Sequence, residues 1–404
     1  MTFDSDGDKI TTELYCRTMS DRESAHVPKE IISACKNRQQ RVRELMENHH
    51  IDGLLVGFDR EIQYLTNFIG DDCFLLIRPE GAEIITDTRY EQALKPWAGS
   101  GIGEPFMGTR HRLMDSVREL CDTHGITRLG IQAEHVSLAM GKILSDTLGR
   151  DRLVETTGLI SRLRMRKDSL EITLIEKALR IQEEALRRTL GRLELGMTEN
   201  ELYAVLEYEI KCLGAMGSSF NPIIAWGPGS SVPHYESADV PIQEGVLLID
   251  WGARTDWYCG DLTRTYGIIS MPPKIQEIYP IVLEAQLAAI EACGPGKVCA
   301  DIDSVARKII TDAGYGPQFN HGLGHSMGIE VHESPYFNDL QTDVELEPGM
   351  VMTVEPGIYL PGVGGVRIED DVLITEDGCR VLSDFPKDMD SVVIEPAGST
   401  SAIA

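Results

Sequence analysis

The sequence predicts an α+β protein with two domains, the second of which is built from two similar halves. The chain has 404 residues, which is more than one compact core usually holds. Helical and strand patterns alternate between Asn37 and Val154, as expected of a smaller α/β domain. Beyond Ser169, the predicted N-cap of a long helix, a weak internal repeat predicts two α+β halves packed face to face.

The first domain is predicted from a helical face followed by strand-like segments. The helix begins at Asn37, and its apolar residues Val42, Leu45 and Met46 share one face. Strand-like segments follow at residues 52–57, 64–68, 74–77 and 83–86. Residues 1–36 are polar and lack periodicity, so we expect them to form an N-terminal extension.

A basic stretch at Arg162–Lys167 marks the predicted boundary between the domains. We expect the first domain to span residues 37–165 and the second 166–390, followed by a tail at 391–404. Such a basic cluster is typical of a solvated linker. The alternative is a contact with the acidic remainder of the chain or with a second subunit.

The internal repeat places one carboxylate at a matching position in each half. Residues 196–202 and 296–302 each open a helix, and each helix leads to an apolar strand flanked by glycines. Asp250 ends the first of these strands and Glu355 ends the second. Because an unpaired buried charge is costly, both positions are unusual for an acid.

Each of these acids faces a second acid across a predicted hairpin. A hairpin centred between Thr255 and Asp256 would place Asp250 opposite Asp261. A hairpin centred at Gly362 would place Glu355 opposite Glu369, with Arg367 on the same face. Like charges so placed destabilise a sheet unless a cation lies between them.

Three histidines lie between the two hairpins, in the glycine-rich segment 321–335. They are His321, His325 and His332. Four carboxylates and one imidazole suit two adjacent divalent ions, Mn or Co first, with Zn and Fe as alternatives. Two such ions can polarise a carbonyl group and activate a water molecule.

These residues resemble a known family. Asp250, Asp261, His325, Glu355 and Glu369 match, in order and spacing, the five metal ligands of the family that includes aminopeptidase P, prolidase, methionine aminopeptidase and creatinase. The segment from His321 to Pro335 is similar to the proline-peptidase signature His-Gly-x-Gly-His…His-Glu-x-Pro, and residues 37–90 resemble the family's N-terminal domain. The resemblance covers residues 37–385. It implies a creatinase-type N-terminal domain and a pita-bread catalytic domain with a pseudo-twofold repeat.

The resemblance also implies a metal-dependent Xaa-Pro peptidase, similar to aminopeptidase P or to prolidase. In such enzymes a hydroxide that bridges the two metals attacks the peptide bond preceding proline. The residue matching Glu355 takes the proton of that water, the one matching His332 steadies the oxyanion or the proline, and the one matching His234 lies near the substrate carbonyl. Arg367 matches an arginine that orients the substrate. His321 is assigned to the substrate side or to hydrogen bonding behind the ligands.

Other members of the scaffold remain as alternatives. Creatinase lacks metal-binding carboxylates that are present here, and methionine aminopeptidase lacks the N-terminal domain and the His-Glu-x-Pro stretch. The alternative is a non-peptidase, either a lyase-like enzyme or a non-catalytic module that binds peptides.

The bulk properties restrict partners and location. The formal charge of −26 disfavours a nucleic-acid partner. No apolar run approaches the ~18 residues that a membrane helix needs. The acidic N-terminus is unlike a signal peptide, so we expect a cytoplasmic protein with reduced thiols. The resemblance implies a homodimer and a proline-containing peptide substrate.

Overall fold

The computed structural model describes residues 26–396, and it divides between Ile160 and Ser161 into two compact units. The first helix of the described residues, Lys29–Asn48, begins before Asn37, where the sequence placed the start of the first domain. Residues 1–25 of the expected extension and residues 397–404 of the expected tail lie outside the described residues.

The first unit contains a six-stranded mixed sheet in the order β4-β3-β2-β1-β5-β6. The strands are β1 (Gly53–Val56), β2 (Phe74–Arg78), β3 (Gly81–Asp87), β4 (Glu104–Gly108), β5 (Leu129–Gln132) and β6 (Leu153–Thr156). The helices are α1 (Lys29–Asn48), α2 (Asp59–Thr66), α3 (Leu113–Thr123) and α4 (Leu138–Leu148). Apolar side chains of β1, β3 and β5 pack with those of α3 in the core, as expected of an α/β domain.

One predicted strand of this unit is wrong. Residues 64–68 were expected to be extended, but Tyr64 to Thr66 form the last turn of α2. The helix ends at Thr66, and its C-cap residue Asn67 adopts a left-handed φ of 57°. The run of five residues is too short for its apolar pattern to separate a strand from a buried helix end.

The second unit begins with the short helix α5 (Leu159–Arg164), which crosses the division, and the long helix α6 (Ser169–Leu190). The N-cap of α6 is Asp168 and not Ser169 as predicted. Its carboxylate accepts from the backbone N–H of Glu171, and the Glu171 carboxylate accepts from the backbone N–H of Asp168. This capping box needs a glutamate three residues after the cap, which only Asp168 has.

The predicted internal repeat is confirmed. Helices α7 (Glu199–Cys212) and α9 (Cys299–Asp312) occupy equivalent places, and each packs on a longer preceding helix, α6 and α8 (Pro273–Ala292). The backbone N–H of Gly196 donates to the Ile242 carbonyl over 2.8 Å, and that of Gly296 donates to the Leu346 carbonyl over 2.8 Å. The two halves thus have equivalent internal hydrogen bonds as well as the same order of elements.

Each half contributes one large sheet, antiparallel except for the edge strand at Val393–Ile394, which pairs in parallel, and one smaller sheet of two or three strands. The first half carries a four-stranded sheet in the order β20-β12-β9-β8, and the second a five-stranded sheet in the order β14-β13-β15-β18-β19. The strands of the first half are β7 (Gly217–Ser218), β8 (Ile223–Trp226), β9 (Gly245–Trp251), β10 (Ala253–Thr255), β11 (Tyr258–Cys259) and β12 (Leu262–Ile268). Those that follow are β13 (Gly324–Ser326), β14 (Glu333–Phe337), β15 (Val351–Val354), β16 (Gly357–Leu360), β17 (Gly364–Arg367), β18 (Asp370–Ile374), β19 (Cys379–Val381) and β20 (Val393–Ile394).

The core of the second unit lies between these sheets and their helices. Side chains of both halves share it, among them Ile249, Ile310 and Val354, all fully buried. Within residues 26–396, the helices are too short or too polar to span a bilayer.

Candidate active site

The first pair of acids lies at the hairpin of β9 and β12, in a register that differs from the prediction. Asp250 is directly opposite Thr263, and not opposite Asp261. The turn is centred between Asp256 and Trp257, whose positive φ values of 48° and 74° are those of a tight hairpin turn. Asp-Trp lacks the glycine that usually marks such a turn, so the predicted centre was one residue too early. The register is therefore displaced by two residues, which keeps Asp250 and Asp261 on one face.

The second pair has the predicted register. Val354 is opposite Asp370 and Gly357 is opposite Arg367, so Glu355 and Glu369 face each other between these two ladders. The Glu369 carboxylate accepts from the Thr263 hydroxyl over 2.7 Å, and its backbone N–H donates to the Thr263 carbonyl over 3.2 Å. Thr263 therefore connects the hairpin of the first half to that of the second.

The acids of the two halves meet around one small volume. One carboxylate oxygen from each of Asp250, Asp261 and Glu369 lies within 4.8 Å of the others. His325 Nε2 lies 3.7 Å from Asp261 Oδ2 and 3.3 Å from Glu355 Oε1, which connects the remaining two side chains to the cluster. Four carboxylates and one imidazole thus converge from distant segments of the chain.

The crowding shifts the ionisation of these groups. Burial, and then the charges of neighbouring acids, raise the pKa of Asp261 and of Glu369 well above the usual values. Burial also raises the pKa of Asp250, although the charge of Arg367 opposes the shift. Burial would raise the pKa of Glu355 as well, but its hydrogen bond with His325 and the charge of that ring lower it to about 2. Without a cation, the cluster retains protons that an exposed carboxylate would lose.

The donor set fits divalent metal ions. Asp250 Oδ1 is buried and, among the described residues, has no hydrogen-bond partner, which is costly unless a cation coordinates it. His325 Nδ1 lies 3.2 Å from the Ser326 carbonyl oxygen, which would hold the proton on Nδ1 when Nε2 coordinates a metal instead of donating to Glu355. Oxygen donors with one imidazole are typical of paired hard or borderline divalent ions.

His325 is placed by a close contact between strands. Gly324, which precedes it, lies so near β15 that a Cβ atom there would approach the Thr353 carbonyl oxygen to 2.1 Å. The Thr353 hydroxyl accepts from the His325 backbone N–H over 3.0 Å. Only glycine fits at position 324, and the contact fixes the backbone of His325 against the strand that leads to Glu355.

The nine site residues predicted from the sequence all line one cavity of about 500 Å³. The four that are not in the cluster of acids are His234, His321, His332 and Arg367. The His332 ring lies edge-on to that of His325, with ring centroids 4.4 Å apart. Burial, followed by the charge of His325, lowers the pKa of His332, which favours the neutral ring. The exposed His234 lies at the rim of the cavity.

Arg367 is held in the wall of the cavity by three side chains and by the Pro233 carbonyl oxygen, to which Nη1 donates over 3.5 Å. Its Nη2 donates to Asp250 Oδ2 over 2.7 Å, its Nε donates to the Thr263 hydroxyl over 3.0 Å, and its Nη1 donates to the Tyr359 hydroxyl over 3.0 Å. The guanidinium is almost fully buried. Strand alternation placed Arg367, two residues from Glu369, on the same face as that acid. From this position Arg367 orients Asp250.

Sequence reasoning missed Thr263 and Tyr359. Tyr359 lies on the same strand face as Glu355, with Gly357 between them, so alternation along the strand could have found it. Thr263 is two residues from Asp261 and follows the same rule. Both are neutral, and a search for acids and histidines overlooks them. The apolar wall of the cavity, formed by residues such as Phe220, Ile223 and Tyr336, gave no signal in the sequence.

Comparison with known proteins agrees with this geometry. Residues 173–376 match the model of metallopeptidase family M24, and residues 38–166 match the creatinase/prolidase N-terminal domain. A Xaa-Pro dipeptidase of Pyrococcus horikoshii is 36% identical, over 87% of this chain and 97% of its own length.

Solved structures give the same result. A Xaa-Pro dipeptidase from Bacillus anthracis is 34% identical, with a TM-score of 0.84 over 89% of this chain and 100% of its own. An X-Pro aminopeptidase from Thermotoga maritima is 34% identical, with a TM-score of 0.80 over 88% of this chain and 99% of its own. The chain therefore belongs to metallopeptidase family M24, in a form that carries a creatinase/prolidase N-terminal domain.

Proposed function

We propose that this metallopeptidase hydrolyses the peptide bond that precedes proline, in Xaa-Pro dipeptides or at the N-terminus of longer Xaa-Pro peptides. The observation that carries the proposal is the convergence of the four acids and His325 in one cavity that is also lined by His234, His332 and Arg367. Relatives named Xaa-Pro dipeptidase and X-Pro aminopeptidase share the fold over nearly their whole length.

The proposed cofactor is a pair of divalent ions, Mn first, with Co, Zn and Fe as alternatives. The side chains that would hold them are Asp250, Asp261, His325, Glu355 and Glu369. Bound ions of this kind supply a Lewis acid for a carbonyl oxygen and lower the pKa of water.

Glu355 is the proposed acceptor of the proton that the attacking water loses. In the metal-free chain its lowered pKa leaves it ionised at neutral pH, so the carboxylate can accept a proton. Its Oε1 accepts from the Thr353 hydroxyl over 3.3 Å and lies 3.3 Å from His325 Nε2. These two neighbours hold the carboxylate facing the other acids, where a proton can reach it.

The remaining residues bind and orient the peptide. His332, neutral and exposed beside His325, can donate one N–H to the developing oxyanion or to the proline carbonyl. His234 at the rim can contact the substrate carbonyl from the other side. Arg367 fixes Asp250, and His321 supports Arg367 through Tyr359, so both act on the substrate through the placement of the acids.

The proposed setting is a cytoplasmic homodimer without a nucleic-acid partner. The eight cysteines that the structure describes are all free thiols, as in a reducing compartment. The formal charge of −26 opposes binding to phosphate backbones. The dimer is supported by the family resemblance alone, and light scattering on the purified chain tests it.

A short substrate series tests the activity. With Mn added, we expect the protein to release alanine from Ala-Pro or from Ala-Pro-Ala and not from Ala-Ala-Ala. The Asp261→Asn variant, purified in the same way, controls for contaminating peptidases. Equal cleavage of the proline-free peptide would contradict the proposal. Mn binding without cleavage of either proline peptide would favour a lyase-like enzyme, and absence of Mn binding would favour a non-catalytic module.

A further inference from the structure

The basic stretch at the domain boundary is divided between solvent and a buried site. The Arg166 side chain is 50% exposed and forms a surface ion pair with Glu347, over 3.0 Å. The side chains of Arg164 and Lys167, in contrast, are 5% and 0% exposed. The prediction of a solvated linker is therefore wrong for these two residues, and the alternative, contact with acidic residues of the same chain, is confirmed.

Both buried cations converge on Glu333. Arg164 Nη2 lies 2.5 Å from Glu333 Oε1, and Lys167 Nζ lies 3.4 Å from Glu333 Oε2. Burial alone would raise the pKa of Glu333, but the charges of Arg164 and Lys167 lower it, so the carboxylate is ionised. Burial lowers the pKa of Lys167, but the charges of Glu333 and Glu171 oppose the shift. Arg164, Lys167 and Glu333 thus form an ionic cluster, and none of the three lines the cavity.

The ionic cluster is attached to both ends of the segment that carries the site histidines. Lys167 Nζ donates to the Ser326 hydroxyl over 2.7 Å, next to His325. Glu333 directly follows His332 in the chain. Between them, the backbone N–H of Glu330 donates to Glu333 Oε1 over 3.1 Å, and Arg164 Nη2 bonds the Glu330 carboxylate over 2.8 Å.

The segment has little room to move around these contacts. A Cβ atom on Gly328 would lie 3.0 Å from both Glu333 carboxylate oxygens, so the backbone is packed directly against the buried carboxylate. The backbone N–H of Cys259 donates to the Gly328 carbonyl over 2.8 Å, from the hairpin that leads to Asp261. The backbone N–H of Lys167 donates to the Gly349 carbonyl over 2.8 Å, at the start of the strand that leads to Glu355.

We propose that Arg164 and Lys167 are positioning residues, which set the relative placement of His325 and His332 through their contacts with Ser326 and Glu333. Neither residue touches the cavity. Their charges fix the two ends of the segment from behind, so that one histidine faces the acids and the other faces the substrate. Part of the site is thereby placed by a stretch of sequence that carries no catalytic motif.

The test compares Lys167→Met with the matched control Arg166→Met, which removes an exposed cation one residue away. We expect the first variant to bind Mn about tenfold more weakly by calorimetry and to lose about tenfold in kcat at saturating Mn, with KM changed less. We expect the control to match the unmodified protein in both. Circular dichroism and thermal unfolding report whether each variant is folded.

The double variant Lys167→Met/Glu333→Gln separates positioning from stability, because it restores the charge balance that the single variant disturbs and leaves Arg164 paired with Glu330. A positioning role predicts that the double variant recovers thermal stability while Mn affinity and kcat stay low. Recovery of Mn affinity and kcat together with stability would overturn the proposal, as would unchanged Mn affinity in a folded Lys167→Met protein. Only the kinetic readout rests on the proposed function. Mn affinity tests the inference even if no proline peptide is cleaved.

Discussion

The hydroxyl group of Tyr359 lies 2.9 Å from Nε2 of His321. Because His321 Nδ1 is 2.7 Å from the Gly322 carbonyl oxygen, Nδ1 carries the proton and Nε2 accepts from the tyrosine. The same hydroxyl accepts from Arg367, which in turn donates to Asp250. Arg367 therefore donates to Asp250 on one side and to Tyr359 on the other, and the tyrosine donates to His321. This continuous series of hydrogen bonds lets His321 act on the acids at a distance.

Removal of the Tyr359 hydroxyl is expected to disturb Asp250. Tyr359→Phe leaves Arg367 without one acceptor and His321 without its donor, in a buried place. We expect a loss of about 1–3 kcal/mol in the free energy of unfolding and a fall in kcat/KM of about tenfold. Thermal unfolding and steady-state kinetics on Ala-Pro-Ala measure the two effects. An unchanged kcat/KM would show that Asp250 does not depend on this series of bonds.

Neutralising one acid of the cluster is expected to have opposite effects with and without metal. Asp261→Asn removes a like charge from the neighbourhood of Asp250 and Glu369. The metal-free protein should therefore gain about 1 kcal/mol in stability, whereas the stabilisation by Mn should be mostly lost. Thermal unfolding of both proteins, with chelator and with Mn, checks both signs. A metal-free Asp261→Asn protein less stable than the unmodified chain would contradict the expected repulsion.

The stabilisation by Mn should increase with pH. Asp250, Asp261 and Glu369 have raised pKa values in the metal-free protein. The folded chain thus holds protons that the unfolded chain has lost, so metal-free stability falls as pH rises through these values. Mn requires the ionised acids, so the shift in melting temperature that it causes should be larger near pH 8 than near pH 6. A shift independent of pH would show that the acids ionise normally.

Gly324 and Gly141 provide a matched pair of substitutions. Gly324→Ala places a Cβ atom 2.1 Å from the Thr353 carbonyl oxygen, and the backbone around His325 must shift. We expect a loss of roughly 3 kcal/mol or more in stability, together with weaker Mn binding. Gly141 lies within α4, where a Cβ atom would make an ordinary contact of 3.7 Å with Val136. Gly141→Ala should stabilise the protein by about 0.5–1 kcal/mol, and chemical denaturation measures both.

Much of the site could be predicted because the face on which a strand residue lies depends only on whether it is an odd or an even number of residues from its neighbour on that strand. The register of Glu355 and Glu369 followed from one centre at Gly362. The register of Asp250 and Asp261 was displaced by two residues, yet the face was right, because two residues is the period of a strand. A displacement by one residue would have turned Asp250 away from the cavity.

The failures have a common physical origin in contacts distant along the chain. The end of α2 has the local pattern of a strand, and only its tertiary surroundings decide for a helix. Arg164 and Arg166 look alike in the sequence, yet one is buried against Glu333 and the other is in solvent. The partner of Arg164 lies 169 residues away, beyond any local pattern.

The bond between Thr263 and Glu369 joins the two repeated halves at the site itself. Neither half encloses the cavity alone, since each supplies two of its four acids. Local opening of either half should therefore separate the acids before the whole chain melts. We expect inactivation by heat to be a single cooperative event, with a midpoint no higher than that of the less stable half. Engineering one half for thermal tolerance would then give little benefit unless the other is reinforced as well.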